Sequence, residues 1–300
     1  MRDGLSVSQH PDRDIEAGIV SSCGGSLCDP CARSSASTVI EMDLVRAGNA
    51  NLGRFLAATA GRRGRVLETS DGIAVSSPFA VLHAYVNGAV PFRGDESALD
   101  FIDETVSFFG SIERPFKLWV PGGSQLLLDK AAGLGGVDDE TEPRAMVLRS
   151  AIAETGSKLV VRRAISRNDF DIFGRVAEAG YGAPGLAWLQ QEQGVYEDER
   201  IVWAIVYDED EPIGTACGFL DSDSTQPTGG VYFVATPPEY RARGAAAEVT
   251  RWVSNYLIES GACLVVLQSS EMGYGVYQRL GFETYDLYRR VSIAVDAAPN

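Results

Sequence analysis

The order strand, helix, strand, helix, strand occurs twice in this chain, over residues 79–150 and again over 230–293. Apolar runs of strand length, such as FKLWV (116–120), RAMVL (144–148), VYFVAT (231–236) and ACLVV (262–266), alternate with stretches of helical periodicity. In ESALDFIDETVSFFGS (96–111), Leu99, Ile102, Val106 and Phe109 recur at helical spacing and predict one buried face. The second copy has more at its front: a strand in SKLVVRRAIS (157–166), a helix in NDFDIFGRVAEAGYG (168–182) and, around an acidic turn, the hairpin RIVWAIVYDEDEPIGTACGFLD (200–221). Alternation of this kind predicts an α/β architecture, and its recurrence predicts two similar halves. Domains are expected at 42–152 and 153–300, behind a Ser/Gly-rich leader, 1–41, that lacks apolar periodicity and reads as disordered.

Charge narrows the partners. Lys plus Arg number 26 against 41 Asp plus Glu, a net charge of −15 that opposes nucleic acid and anionic membrane and favours cationic ligands. No run of 18 apolar residues exists, and the N-terminus has no apolar segment behind a basic start. The chain is therefore expected in the cytoplasm. Only His10 and His83 are present, and His83, mid-strand among apolar neighbours, reads as a core residue. Acid–base work then falls to carboxylates, tyrosines or water. Cys217 and Cys263 lie in apolar strand-like runs and read as buried free thiols. Cys23, Cys28 and Cys31 in the leader, even with His10, match no compact zinc module, so no metal is expected.

The stretch VYFVATPPEYRARGAAA (231–247) runs from a strand through two prolines into a helix. Pro237 and Pro238 end the strand, Arg241 and Arg243 add positive charge, and the small residues Gly244, Ala245, Ala246 and Ala247 leave the helix's first amides approachable. Such an N-terminus suits a phosphate. Taken alone, R-x-R-G fits an ordinary loop with solvated arginines equally well. Neither G-x-x-x-x-G-K-[ST] nor G-x-G-x-x-G behind a strand occurs, which removes the main support for nucleoside triphosphatase and dinucleotide readings.

Context decides between these. Arg241-Ala-Arg-Gly244-Ala-Ala246 fits [QR]-x-x-G-x-[GA], VAT stands directly upstream, and Tyr277-Gln-Arg-Leu-Gly281-Phe282 fits Y-x-[KR]-L-G-F downstream. Over roughly residues 157–293 the chain thus resembles the GCN5-related N-acetyltransferase (GNAT) family. The resemblance implies a mixed, mostly antiparallel central sheet flanked by helices, with acetyl-CoA as acyl donor. It further implies that the backbone of Val234, Ala235 and Thr236 pairs with the pantetheine arm. The amides of Ala242, Arg243, Gly244, Ala245, Ala246 and Ala247, beside Arg241, would hold the pyrophosphate, and Tyr277 would be the general acid for the departing thiolate. Ser269, Ser270 and Gly273 depart from the family's usual residues at the start of the last helix. No general base declares itself; Tyr232 is a candidate water holder, and Glu239 in the loop is expected to face solvent.

In the first half the corresponding stretch reads AVPFRGDESALDF, with Asp95 and Glu96 at the helix start where a pyrophosphate would sit. A degenerate half that keeps the fold without the cofactor is expected. The reading is an N-acetyltransferase acting on a cationic small-molecule amine such as a polyamine, aminoglycoside or amino-acid derivative, with no nucleic-acid or membrane partner and a homodimer left open. The acidic stretches 197–199 and 208–211 could attract such an acceptor, or be solvated turns. The alternative is a non-catalytic acyl-CoA sensor or scaffold with the same fold.

Overall fold

A computed structural model describes residues 43–60, 63–77, 85–183, 193–222 and 226–295. The leader with its three cysteines, and His10 and His83, lie outside them. The elements are α1 (Leu44–Thr59), β1 (Arg65–Glu68), β2 (Gly72–Ser76), β3 (Asn87–Pro91), α2 (Ala98–Gly110), β4 (Phe116–Pro121), α3 (Gln125–Gly133), β5 (Val137–Asp138) and β6 (Arg144–Leu148). Then follow β7 (Val160–Arg163), α4 (Arg167–Tyr181), α5 (Gln193–Tyr196), β8 (Ile201–Asp208), β9 (Glu211–Asp221), β10 (Thr228–Ala235), α6 (Ala245–Glu259), β11 (Leu264–Ser269), α7 (Glu271–Arg279) and β12 (Glu283–Ile293).

All strands join one mixed sheet in the order β1-β2-β3-β4-β12-β6-β11-β10-β9-β8-β7, with β5 also on β12. Among the described residues only β3 with β4 and β10 with β11 pair in parallel; every other pair is antiparallel. Each half has one parallel pair followed by a helix, as the repeated order predicts. The halves exchange strands at their seam. β6, from the first half, lies between β11 and the opening residues of β12, while the closing residues of β12 lie between β4 and β5. The 152/153 boundary falls in a segment without regular structure, yet residues on both sides belong to one compact unit, Ile40–Asn300.

Local chemistry explains the frame. Ser166 and Asp169 form a capping box at the start of α4, and Gly182 ends it in the left-handed region at φ +62°. In α2 the buried stripe is Ala98, Phe101, Ile102, Thr105 and Phe109, rotated from the expected one: Leu99 and Val106 are only half-buried. Phe101 sets the phase, because its ring lies over Gly72, where an added Cβ would come within 2.5 Å. Cys217 is a buried free thiol, as expected. Cys263 is disulfide-bonded instead; it sits half-buried just before β11, between the buried Ala262 and Leu264.

α1 presents two buried asparagines to the sheet. Asn51 donates to Thr228 O (2.7 Å) and accepts from the Tyr232 hydroxyl (2.6 Å); Asn49 donates to Phe92 O (3.0 Å) and accepts from the Tyr288 hydroxyl. Both bonds of Asn51 reach β10 in the second half, whereas those of Asn49 reach the end of β3 and the shared β12, so α1 pins the seam.

Candidate functional site

β10 and β11 pair only over Thr228–Leu264, Gly229–Val265 and Gly230–Val266, then diverge. A bulge on β10 drives the divergence: against β9 the register shifts between Tyr232 and Ala235, and Phe233 takes φ +51°, a conformation bulky side chains rarely adopt. The splay opens a cleft of about 580 Å³ whose walls include Val231, Phe233, Val234, Leu267 and Gln268. Gln268 is notable because neither its amide nitrogen nor its amide oxygen has a partner, although both are buried. Such a side chain is suited to a ligand amide.

Beyond β10, a short 3-10 turn (Pro238–Tyr240) leads to Ala242 at φ +63° and Gly244 at φ +87°, which begins α6. No side chain caps α6, and among the described residues the amides of Gly244, Ala245, Ala246 and Ala247 find no acceptor. Nothing lies within 4 Å of where a Gly244 Cβ would be, so the approach to the helix start is open at Gly244. Unpaired amides at a helix start are the kind of group that suits an anion.

The two arginines work differently from a free pair of cations. Arg241 donates to Thr236 O (3.3 Å) and Gly180 O (3.2 Å), tying the loop to the strand end and to α4. Arg243 lies 3.7 Å from Asp208 and over the Tyr240 ring, and the Tyr240 hydroxyl donates to Glu211 (2.9 Å). The acidic turn between β8 and β9 therefore braces the loop, which gives its carboxylates a local use that no reading of the turn by itself contained. Glu239 is exposed, as expected.

Tyr277 on α7 reaches the cleft from the other side, 8% exposed. Gly273 gives its ring room: a Cβ there would come within 2.8 Å of it. Ser270 caps α7 by accepting from Gly273 N (3.3 Å). Burial pushes the Tyr277 phenol above its ordinary range, with Tyr85 adding to the shift. Tyr232 does not serve as a water holder, since its buried hydroxyl is spent on Asn51 and its ring stacks on Phe55 at 3.9 Å.

The sequence patterns missed the far wall. Tyr85, Trp119, Thr141 and Arg290, from the first half and from β12, and Tyr181 from α4 all line the same cleft. Tyr85 is pushed up to about 12 by burial, against a lowering effect of Arg290. Glu140, Glu142 and Glu271 stand at its mouth. The adjacent pair Arg289 and Arg290 in the strand LYRRVSIAV was the one available signal for Arg290. Among the described residues no group of three or more His, Cys, Asp or Glu could hold a metal, and no helix is long and apolar enough to cross a membrane.

Residues 174–282 match the Acetyltransferase (GNAT) family model. The chain carries a GNAT domain. The GNAT fold extends over nearly the whole described chain. A GCN5-related N-acetyltransferase from Kribbella flavida superposes with TM-score 0.63 at 16% identity, covering 84% of this chain and 96% of its own. A tandem GNAT protein from the clavulanic acid biosynthesis pathway gives 0.53 at 13% identity, covering 91% and 94%. A GNAT protein from Sphaerobacter thermophilus gives 0.51 at 16%, covering 78% and 84%. No curated protein matches the chain in sequence. Two GNAT-like halves in one chain account for the repeated strand–helix order and for a sheet in which both parallel pairs survive.

Proposed function

We propose that this chain is an acyl-CoA-dependent N-acyltransferase that moves an acetyl group from acetyl-CoA to the primary amine of a small molecule by direct attack. The observation that carries the reading is the conjunction of an uncapped helix start, a splayed parallel strand pair leading to it, and a protonated buried tyrosine across the splay. The residues fit the cosubstrate. The bare amides of residues 244–247 suit its pyrophosphate, the backbone of Val234, Ala235 and Thr236 is free of β11 beyond the splay, and the orphaned Gln268 amide suits an amide group of its arm.

When bound, acetyl-CoA supplies an acyl group activated as a thioester. The chain contributes orientation and a proton. A raised phenol keeps its proton at the Tyr277 hydroxyl oxygen throughout neutral pH, so it can donate to a sulfur that gains negative charge. The proton leaving the amine goes to water, because the carboxylates that line the cleft, Glu140, Glu142 and Glu271, stand at its exposed or partly exposed mouth.

That missing base also favours a second reading, a sensor or scaffold that binds acyl-CoA without turnover. Incubation with acetyl-CoA and a panel of primary amines, following free thiol, separates the two. Thiol release that depends on the amine and falls in Tyr277→Phe supports the enzyme; binding without release, indifferent to that substitution, supports the sensor.

A further inference from the structure

Arg144 and Arg290 line the cleft's far end, Arg289 is next to Arg290 on β12, and of the three two are neutralised. Arg144 pairs with Glu271 (2.5 Å), and Arg289 with Asp138 and, at 3.8 Å, Glu142. Arg290 takes part in none of the ion pairs among the described residues. It is half-buried, and its Nε and Nη2 both donate to one hydroxyl oxygen, that of Thr141 (3.0 and 2.9 Å). A hydroxyl is a weak counterpart for a cation partly withdrawn from water, and the carboxylate that senses its charge, Asp139, is bonded to Lys117 (2.6 Å) instead. The guanidinium lies 5.5 Å over the ring of Trp119, its cross-strand partner, which leaves Nη1 and the second hydrogen of Nη2 for another acceptor.

The strand pairing explains how this cation is held at the cleft. Residues 139–143 bulge out of the pairing with β12: Asp139 N donates to Arg290 O (2.8 Å), Tyr288 N donates to Pro143 O (2.9 Å), and between them Glu140 takes φ +55°. The bulge places the Thr141 hydroxyl on Arg290. From there a wall of rings leads to the splay: Trp119 to Tyr85 at 5.6 Å, Tyr85 to Phe233 at 5.7 Å, and Phe233 to Tyr181 at 6.4 Å. Phe233 is the bulged residue that opens the splay, so the wall runs from the unpaired cation to the Tyr277 side of the site.

Resting on the acyl-transfer reading, we infer that the acceptor carries a carboxylate as well as its amine: Arg290 binds the carboxylate, the ring wall covers an apolar body, and the amine is directed toward the splay. Adjacent guanidinium donors match the two oxygens of a carboxylate. Of the mouth carboxylates, Glu142 and Glu271 are paired and Glu140 is exposed. This arrangement suits a zwitterion and disfavours the purely cationic acceptor that net charge alone suggests.

The test uses the full chain and two probe pairs. Calorimetric titration with 3-phenylpropanoate and 3-phenylpropanamide should show the carboxylate binding at least about tenfold tighter. The preference should vanish in Arg290→Met and persist in Thr141→Val, which loses the brace but keeps the charge. Equal binding in the natural chain, or a preference that survives Arg290→Met, overturns the inference. With acetyl-CoA, Arg290→Met should raise KM for phenylalanine about 10- to 100-fold while leaving that for phenylalaninamide and the affinity for CoA unchanged. Carboxylate preference without CoA binding or turnover would sink the acyl-transfer reading and leave the Arg290 site standing. Turnover of phenylalaninamide as readily as phenylalanine would do the reverse.

Discussion

At the end of β10 the chain leaves a helix start bare, and at the end of β3 it covers the equivalent one. Asp95 accepts from Ser97 N (3.1 Å) and Oγ (2.6 Å), Ala98 N donates to Asp95 O, and Leu99 N donates to Glu96 O. The Ser97 hydroxyl bond holds the Asp95 carboxyl below its ordinary range, so a negative charge stands where α2 begins. The notch between the parallel strands is closed as well. Ser124 Oγ donates to Gly94 O (2.6 Å), and a Cβ on Gly94 would meet Pro121 O at 3.0 Å. β3 pairs with β2 without the register shift that β10 shows against β9. One backbone plan thus yields an open anion cradle or a stapled turn, depending on a bulge, a glycine at positive φ and the sign of the first side chains.

The halves differ in chemistry yet share strands, and the largest expected effect breaks that dependence. Residues 153–300 produced alone lack β6, leaving the edges of β11 and β12 unpaired across a buried strand position. Circular dichroism should show no cooperative melt for that fragment, against one transition for residues 43–300. Next, Tyr277→Phe should lower kcat by about 10²- to 10⁴-fold with CoA affinity unchanged, the range expected for loss of a general acid. Third, Gly244→Asp copies the first half's chemistry into the second. Its carboxylate would occupy the bare amides, and CoA affinity by calorimetry should fall about 100-fold. The natural chain should bind one CoA; two equal sites would erase the contrast between the halves. Fourth, Ser124→Ala should cost about 1 kcal/mol of stability in urea denaturation and create no second CoA site.

The smallest effect is the pH dependence of the shared cleft. Tyr85 is pushed up to about 12, whereas an unfolded phenol ionises near pH 10. Below pH 10 both states are protonated and this stability is fully present; above it the unfolded chain ionises first. Thermal stability should therefore fall as pH rises from 10 to 12, and Tyr85→Phe should flatten that slope.

Much of the second half was legible. The strand–helix order, the small residues after Arg243, and Tyr277 before Leu-Gly-Phe each carry a local reason that survives into the structure: a strand stop, an uncapped helix, a short terminal helix. The face of α2 was misphased because apolar spacing alone could not show that Gly72 makes room for Phe101. Arg241 and Arg243 were legible as charges but not as braces, since Gly180 and Asp208 are remote in sequence. Trp119 and Tyr85 were invisible as site residues, and Arg290 only an odd charge in a strand, because Trp119 and Arg290 meet through the pairing of β4 with β12 and Tyr85 joins them only by packing on Trp119.

Sequence by itself determined the elements and the bare turn at Gly244, because helix periodicity, strand punctuation and backbone freedom are properties of neighbours along the chain. The exchange of β6 and β12, the closing of the first half's notch and the gathering of rings around an unpaired arginine were decided only in three dimensions. Those depend on which strand edges meet, and no local pattern encodes the partner of an edge.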